Sequence, residues 1–142
     1  MNYYLKNKAL QVVVASLGAE TISIKYCNKE RLWQNDNNTW DRHAPILFPH
    51  GGKCSVIING HRYPDKMHGF LRDQEFTLVK QSDDEITLVF ISNTISKESY
   101  PYDFKFYVTY QIKDNVLTII YRIENPSEET IYFLLGTHES YA

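Results

Sequence analysis

Between residues 104 and 113 apolar and polar side chains alternate without a break. Phe104, Phe106, Val108, Tyr110 and Ile112 fall on one side, and Lys105, Tyr107, Thr109, Gln111 and Lys113 on the other. A period of two marks a strand with one buried face. Asp114-Asn115 supplies turn residues, after which Leu117, Ile119, Tyr121 and Ile123 resume the alternation. The same reading predicts strands over Leu10–Ala15, Thr21–Tyr26, residues 76–79 and residues 86–91, joined by turns at Leu17-Gly18-Ala19 and Gln81-Ser82-Asp83-Asp84. A last run, residues 130–135, follows the turn at Asn125-Pro126-Ser127. Residues 28–38 and 92–99 are polar and read as surface connections. No window carries helical periodicity with caps, and no repeat of fixed length is present. The pattern predicts an all-β, antiparallel fold with more than half its residues in strands and almost no helix. Its core is expected to hold Ile22, Phe48, Ile57, Phe76, Leu88, Phe106, Val108, Leu117, Ile119 and Leu134.

Residues 40–76 break this rhythm. They carry four of the five histidines and three of the five prolines, around a short β-branched run at Ser55-Val56-Ile57-Ile58. Proline fixes φ and glycine opens positive φ, so Pro45, Pro49, Gly51, Gly52, Pro64 and Gly69 steer the backbone. Such steering around Arg42, His43, His50, His68, Arg72 and Asp73 presents polar groups to a cleft, or else makes a long loop whose charges face water.

Composition narrows the functional classes. A chain of 142 residues with 43% hydrophobic and 14% aromatic content is sized for one globular domain, residues 1–142. Fifteen basic against seventeen acidic side chains give a net charge of −2. With no basic face apparent, neither nucleic acid nor an anionic membrane is an expected partner. Eleven tyrosines suit β-sheets and also sugar faces, where an apolar ring carries a polar tip. No apolar run reaches the length of a transmembrane helix, and the N-terminus lacks a signal-peptide pattern. Cys27 and Cys54 lack CxxC spacing and read as reduced thiols. A cytoplasmic protein is expected.

Several runs together resemble a known family. They are Trp40-x-Arg42-x-Ala44-Pro45-Ile46-Leu47-Phe48-Pro49-x-x-Gly52, then Gly60-x-x-Tyr63, then His68-Gly69-Phe70-Leu71-Arg72-Asp73-x-Glu75-Phe76. Tyr100-Pro101-Tyr102-x-Phe104, Leu117, Asn125 and Gly136-Thr137-His138 follow in order. This series resembles the aldose 1-epimerases, most closely the LacX-type branch of galactose mutarotase-like proteins, and it covers essentially the whole chain. The resemblance implies an antiparallel β-supersandwich with a sugar cleft. It also implies interconversion of the α and β anomers of free hexoses, without metal or organic cofactor. Ring opening needs a base for the anomeric hydroxyl proton and an acid for the ring oxygen, and histidine titrates in the right range for a reversible relay.

By that resemblance His138 is the general acid at the ring oxygen, and His68 its neighbour on the same region of the sugar. Arg42 holds sugar hydroxyls through its fork of donors. Asp73 belongs to the same motif, though a salt bridge to Arg72 or a backbone cap accounts for it equally. The sequence departs from the family in two ways. Glu139-Ser140 stands where proline usually follows the histidine, and the family's proton-abstracting glutamate and a sugar-binding aspartate belong to a second half of the fold. Glu139 is a poor substitute, because neighbours on a strand point to opposite faces.

The chain thus reads as the N-terminal half of such a sandwich, either a fragment or a half-protein completed by a second copy, with self-association through an open sheet edge. Two alternatives stay open. One is a sugar-binding module without turnover. The other is an epimerase-like enzyme for a sugar phosphate, which needs basic groups such as Arg42, Arg62, Lys66 and Arg72 to converge. A metal site from His43, His50, His61 and His68 is disfavoured by their spacing.

Overall fold

The computed structural model describes residues 1–142 apart from Asn37 and Asp65. Its first sheet is built from local hairpins, β1 (Asn2–Lys6), β2 (Leu10–Ala15), β3 (Thr21–Tyr26) and β4 (Lys29–Glu30), all antiparallel and in chain order. Asn7 closes the first hairpin by accepting through Oδ1 from the N–H groups of Ala9 and Leu10. The register of β2 on β3 slips between Val13 and Val14. An extra residue there sharpens the local twist. β1 pairs along its whole length with β2, although its sequence carries only two inward apolar side chains, Tyr3 and Leu5.

The steered stretch yields little regular structure. It contributes β5 (Ile46–Leu47), β6 (Val56–Ile58), β7 (His61–Tyr63) and a single 3₁₀ turn at Leu71–Asp73. Proline and glycine interrupt the ladder wherever a longer strand would run. This is why strands and bridges occupy 46% of the chain, short of the expected half.

The second sheet holds β8 (Thr77–Gln81), β9 (Glu85–Ile91), β10 (Lys105–Lys113) and β11 (Val116–Glu124), in the order β11-β10-β9-β8. The polar segment between β9 and β10 contains a one-turn helix, α1 (Thr94–Lys97). Asn93 and Ser96 cap it reciprocally, the Ser96 N–H donating to Asn93 Oδ1 and the Asn93 N–H to Ser96 Oγ. A final short strand, β12 (Gly136–Thr137), returns to pair with β5.

The two sheets face each other across one core. Leu5, Leu10, Val12 and Val14 from one side meet Ile86, Leu88, Phe106, Val108 and Ile112 from the other. Tyr110 spans the gap, its hydroxyl donating to the Ala19 carbonyl at 2.5 Å. Phe48 is the hub. It is fully buried, with ring centroids of Tyr100, Phe104, Phe106 and Phe133 between 5.2 and 5.5 Å away.

Two expected core residues lie outside. Ile57 is 65% exposed because β6 and β7 form a two-stranded hairpin, and its side chain alternates away from the half-buried Val56 and Ile58. Leu134 is 68% exposed. Its segment, residues 130–135, forms no ladder strand and is held by isolated bonds such as Leu134 N–H to the Pro49 carbonyl at 2.8 Å. Ile22, Leu117 and Ile119 are half-buried rather than buried. No helix among the described residues is long and apolar enough to cross a membrane.

Candidate active site

The histidine loop is fixed by close backbone packing. Gly69 sits at φ +72° directly against the Phe48 carbonyl, so that a Cβ there would stand 2.0 Å from the oxygen. His68 precedes it at φ +65°, a left-handed conformation uncommon for a side chain of this size. Two bonds to Gly52 hold it there. The His68 N–H donates to the Gly52 carbonyl at 2.9 Å, and the Gly52 N–H donates to His68 Nδ1 at 2.8 Å. An Nδ1 that accepts must be unprotonated, so in the neutral ring the proton sits on Nε2. Desolvation by burial lowers the His68 pKa, and the Arg72 charge, His138 and His50 lower it further. His68 is therefore a neutral imidazole that offers one N–H donor.

His138 reaches the same place from the far end of the chain. β12 pairs with β5, and the His138 N–H donates to the Pro45 carbonyl at 3.2 Å. This brings its ring to 6.2 Å from that of His68, centroid to centroid, at 61°. Trp40 lies on it at 5.0 Å. The ring is solvent-exposed.

Arg42 and Asp73 come together, but on each other. Arg42 Nη2 donates to Asp73 Oδ1 at 2.6 Å, while Nη1 donates to the Arg72 carbonyl at 3.1 Å and to Glu20 Oε2 at 3.3 Å. Glu20, almost fully buried, also accepts the N–H groups of His43 and Ala44, at 2.5 and 3.0 Å. One carboxylate thus shapes the segment that leads into β5. Asp73 is paired with Arg42 rather than with Arg72.

The sequence marked Trp40 only as part of a motif and His50 as one polar group of the steered stretch, and it did not mark Glu20 at all. His50 is buried with no hydrogen bond to its Nδ1 among the described residues, and the Arg72 Nε is likewise buried and unpaired. Both groups lower the pKa of His68, so the Arg72 charge is felt at that imidazole, while Arg42 is engaged by Glu20 and Asp73.

Glu139 turns elsewhere. Its Oε2 accepts from Thr137 Oγ1 at 2.9 Å, and its charge joins burial in raising the pKa of Tyr121. Among the described residues no group of three or more His, Cys, Asp or Glu side chains is arranged to hold a metal ion. His61 packs edge-on against Tyr63, and His43 faces Glu20. A cavity of about 550 Å³ opens between the turns at Asn7–Ala9 and Asp114–Asn115, away from these residues in the sequence and lined by none of them.

Comparison with known proteins gives this geometry a context. A family model described as Aldose 1-epimerase matches residues 1–141. The chain is 30% identical to the chromosomal LacX protein of Lactococcus lactis subsp. lactis, over 99% of its own length and 50% of that protein's. It superposes on a galactose mutarotase related enzyme from Lactobacillus acidophilus with a TM-score of 0.94 and 32% identity, covering 99% of this chain and 49% of that one. A galactose mutarotase-like protein from Lactobacillus casei gives 0.94 and 31%, with 99% and 50% coverage. The chain spans about half the length of the relatives it matches.

Proposed function

Because this chain belongs to the aldose 1-epimerase family, we propose that its histidine pair serves the opening and closing of a free hexose ring. The observation that carries the proposal is the meeting of His68 and His138 at 6.2 Å across 70 positions of sequence. In this reading the exposed His138 gives a proton to the ring oxygen as the C1–O5 bond breaks. The proton returns when the ring closes on the other face. His68 donates its Nε2–H to the same region of the sugar and stays neutral while it does so. Arg72 supplies donors to sugar hydroxyls, and Arg42 with Asp73 holds the turn from which Arg72 projects.

Taking the anomeric proton requires a carboxylate. Glu139, the carboxylate next to His138 in sequence, accepts from Thr137 Oγ1 instead, which favours a second reading for the isolated chain: sugar binding with slow turnover or none. The glutamate then comes from the half that the relatives possess and this sequence does not include. The open edge of β11 also supports self-association of the isolated chain. We place the protein in the cytoplasm, where free hexoses are metabolised.

Polarimetry on freshly dissolved α-galactose, run beside NMR titration of the chain with galactose, tests both readings. Weak galactose binding that is lost in His68→Asn and His138→Asn is the expected result. Binding that survives both substitutions overturns the assignment.

A further inference from the structure

His138 has no hydrogen bond to its ring among the described residues; only its backbone N–H is engaged, with Pro45. The outer torsion of an imidazole is broad, so an exposed ring without hydrogen bonds ordinarily samples a wide range of orientations. Proton transfer does not tolerate that range, since the donor must come within about 2.6–3.2 Å of its target. Something other than a hydrogen bond has to aim this ring.

Trp40 is the group in position to do so. Its indole lies 5.0 Å from the imidazole at an interplanar angle of 57°, nearer than His68. Tilted aromatic pairs at such separations are favourable beyond their buried area. Trp40 is itself anchored on both sides, its N–H donating to Asn35 Oδ1 and its carbonyl accepting from the Trp33 indole, each at 3.2 Å. The Trp33 N–H in turn donates to the Ser140 carbonyl at 2.8 Å, and the Ser140 N–H to the His43 carbonyl at 2.9 Å. The loop that carries Trp40 and the segment that carries His138 are therefore tied together two residues beyond the imidazole.

We infer that Trp40 is the positioning residue of the His138 imidazole, holding it by ring contact in the orientation that faces the sugar. The inference rests on the reading of His138 as a sugar-facing group. It assigns a purpose to the Trp33–Ser140 and Trp33–Trp40 bonds, which otherwise only close a surface loop.

The test uses the chain with isotope-labelled histidine, as wild type, Trp40→Phe and Trp40→Leu, followed by NMR with and without galactose. Trp40→Leu should shift and broaden the His138 ring signals more than those of His43, His50 or His61, because the indole ring current and the restraint are both lost. Its galactose affinity should fall by about tenfold, the upper end of what one aromatic pair is worth. Trp40→Phe, which keeps an aromatic ring, should restore most of both. Equal thermal melting of the three proteins separates aiming from folding. A wild type that responds to galactose while Trp40→Leu leaves the His138 signals unmoved overturns this inference alone. Galactose that moves no histidine signal in the wild type overturns the sugar reading, and the inference with it.

Discussion

Arg42 and Asp73 are joined by a 2.6 Å hydrogen bond between Nη2 and Oδ1, so each provides the other's counter-charge. Arg42 also faces the nearly buried Glu20. Removing the guanidinium leaves the Glu20 carboxylate without its cation and the Arg72 carbonyl without its donor. Arg42→Ala is expected to cost about 1.5–3 kcal/mol, the usual range for hydrogen bonds to charged groups. Asp73→Asn should cost under about 1 kcal/mol, since Asp73 is substantially exposed. Urea denaturation midpoints of the two variants check the order, and equal losses would argue against the Glu20 contribution.

Phe48 is the second stability test. Its ring meets five other aromatic rings and has no solvent exposure. Phe48→Ala is expected to lose about 3–5 kcal/mol through transfer and cavity terms together. The residue also accepts the Phe70 N–H at its carbonyl, but that bond survives the substitution. A loss below 1 kcal/mol in thermal or chemical unfolding would mean the aromatic cluster can collapse into the space.

The pH dependence has a definite sign. The folded-state pKa of His68 is lowered by burial and by Arg72, so the unfolded chain takes up this proton at a higher pH than the native one. The contribution of His68 is fully present above the ordinary histidine value and is lost as pH falls through the lower, folded value. Stability should therefore decline on mild acidification, and His68→Asn should flatten that part of the profile. Thermal melts between pH 7 and 5 measure it; an unchanged profile in the variant assigns the decline to other groups.

His138→Asn separates function from folding. The ring is exposed and holds no structural hydrogen bond among the described residues, so melting should be nearly unchanged. Any mutarotation above the solvent rate should fall by at least ~10²-fold, the lower range for loss of one acid–base group. Polarimetry reads this directly.

β11 is a nine-residue edge strand on which Val116 and Ile120 are 55% and 45% exposed. Unpaired edges with apolar side chains invite pairing between copies, and a lysine on such an edge discourages it. Ile120→Lys is expected to shift the isolated chain toward monomer in light scattering. Persistence of the same assembly would place the contact elsewhere, with the exposed Tyr132–Leu134 run the next candidate.

Sequence alone revealed most of the sheets, because β10 buries one face and half-buries the other, while β11 half-buries one face and exposes most of the other, and both so write a period of two into the chain. It misread residues 130–135 for an equally physical reason. Their apolar pattern suits a strand, but strandhood also requires a ladder partner, which local pattern does not encode. His68 and His138 were singled out through their motifs, and the structure brings their rings to 6.2 Å. The contacts of Trp40 and Glu20 and the left-handed φ of His68 were not legible, since each arises between segments distant in the chain. Arg42 illustrates the limit most directly: its residue type suits sugar hydroxyls, while its observed partners are Glu20, Asp73 and the Arg72 carbonyl.

Gly69 approaches the Phe48 carbonyl so closely that no residue with a β-carbon fits without moving the backbone. At the level of the gene, any nucleotide change in the first or second codon position there replaces glycine and displaces the histidine beside it. One codon thus reports on the state of the whole loop. In a newly read sequence of this family, glycine following the first histidine would mark a chain that still builds this loop, and any other residue there would mark one drifting toward a different use or toward loss.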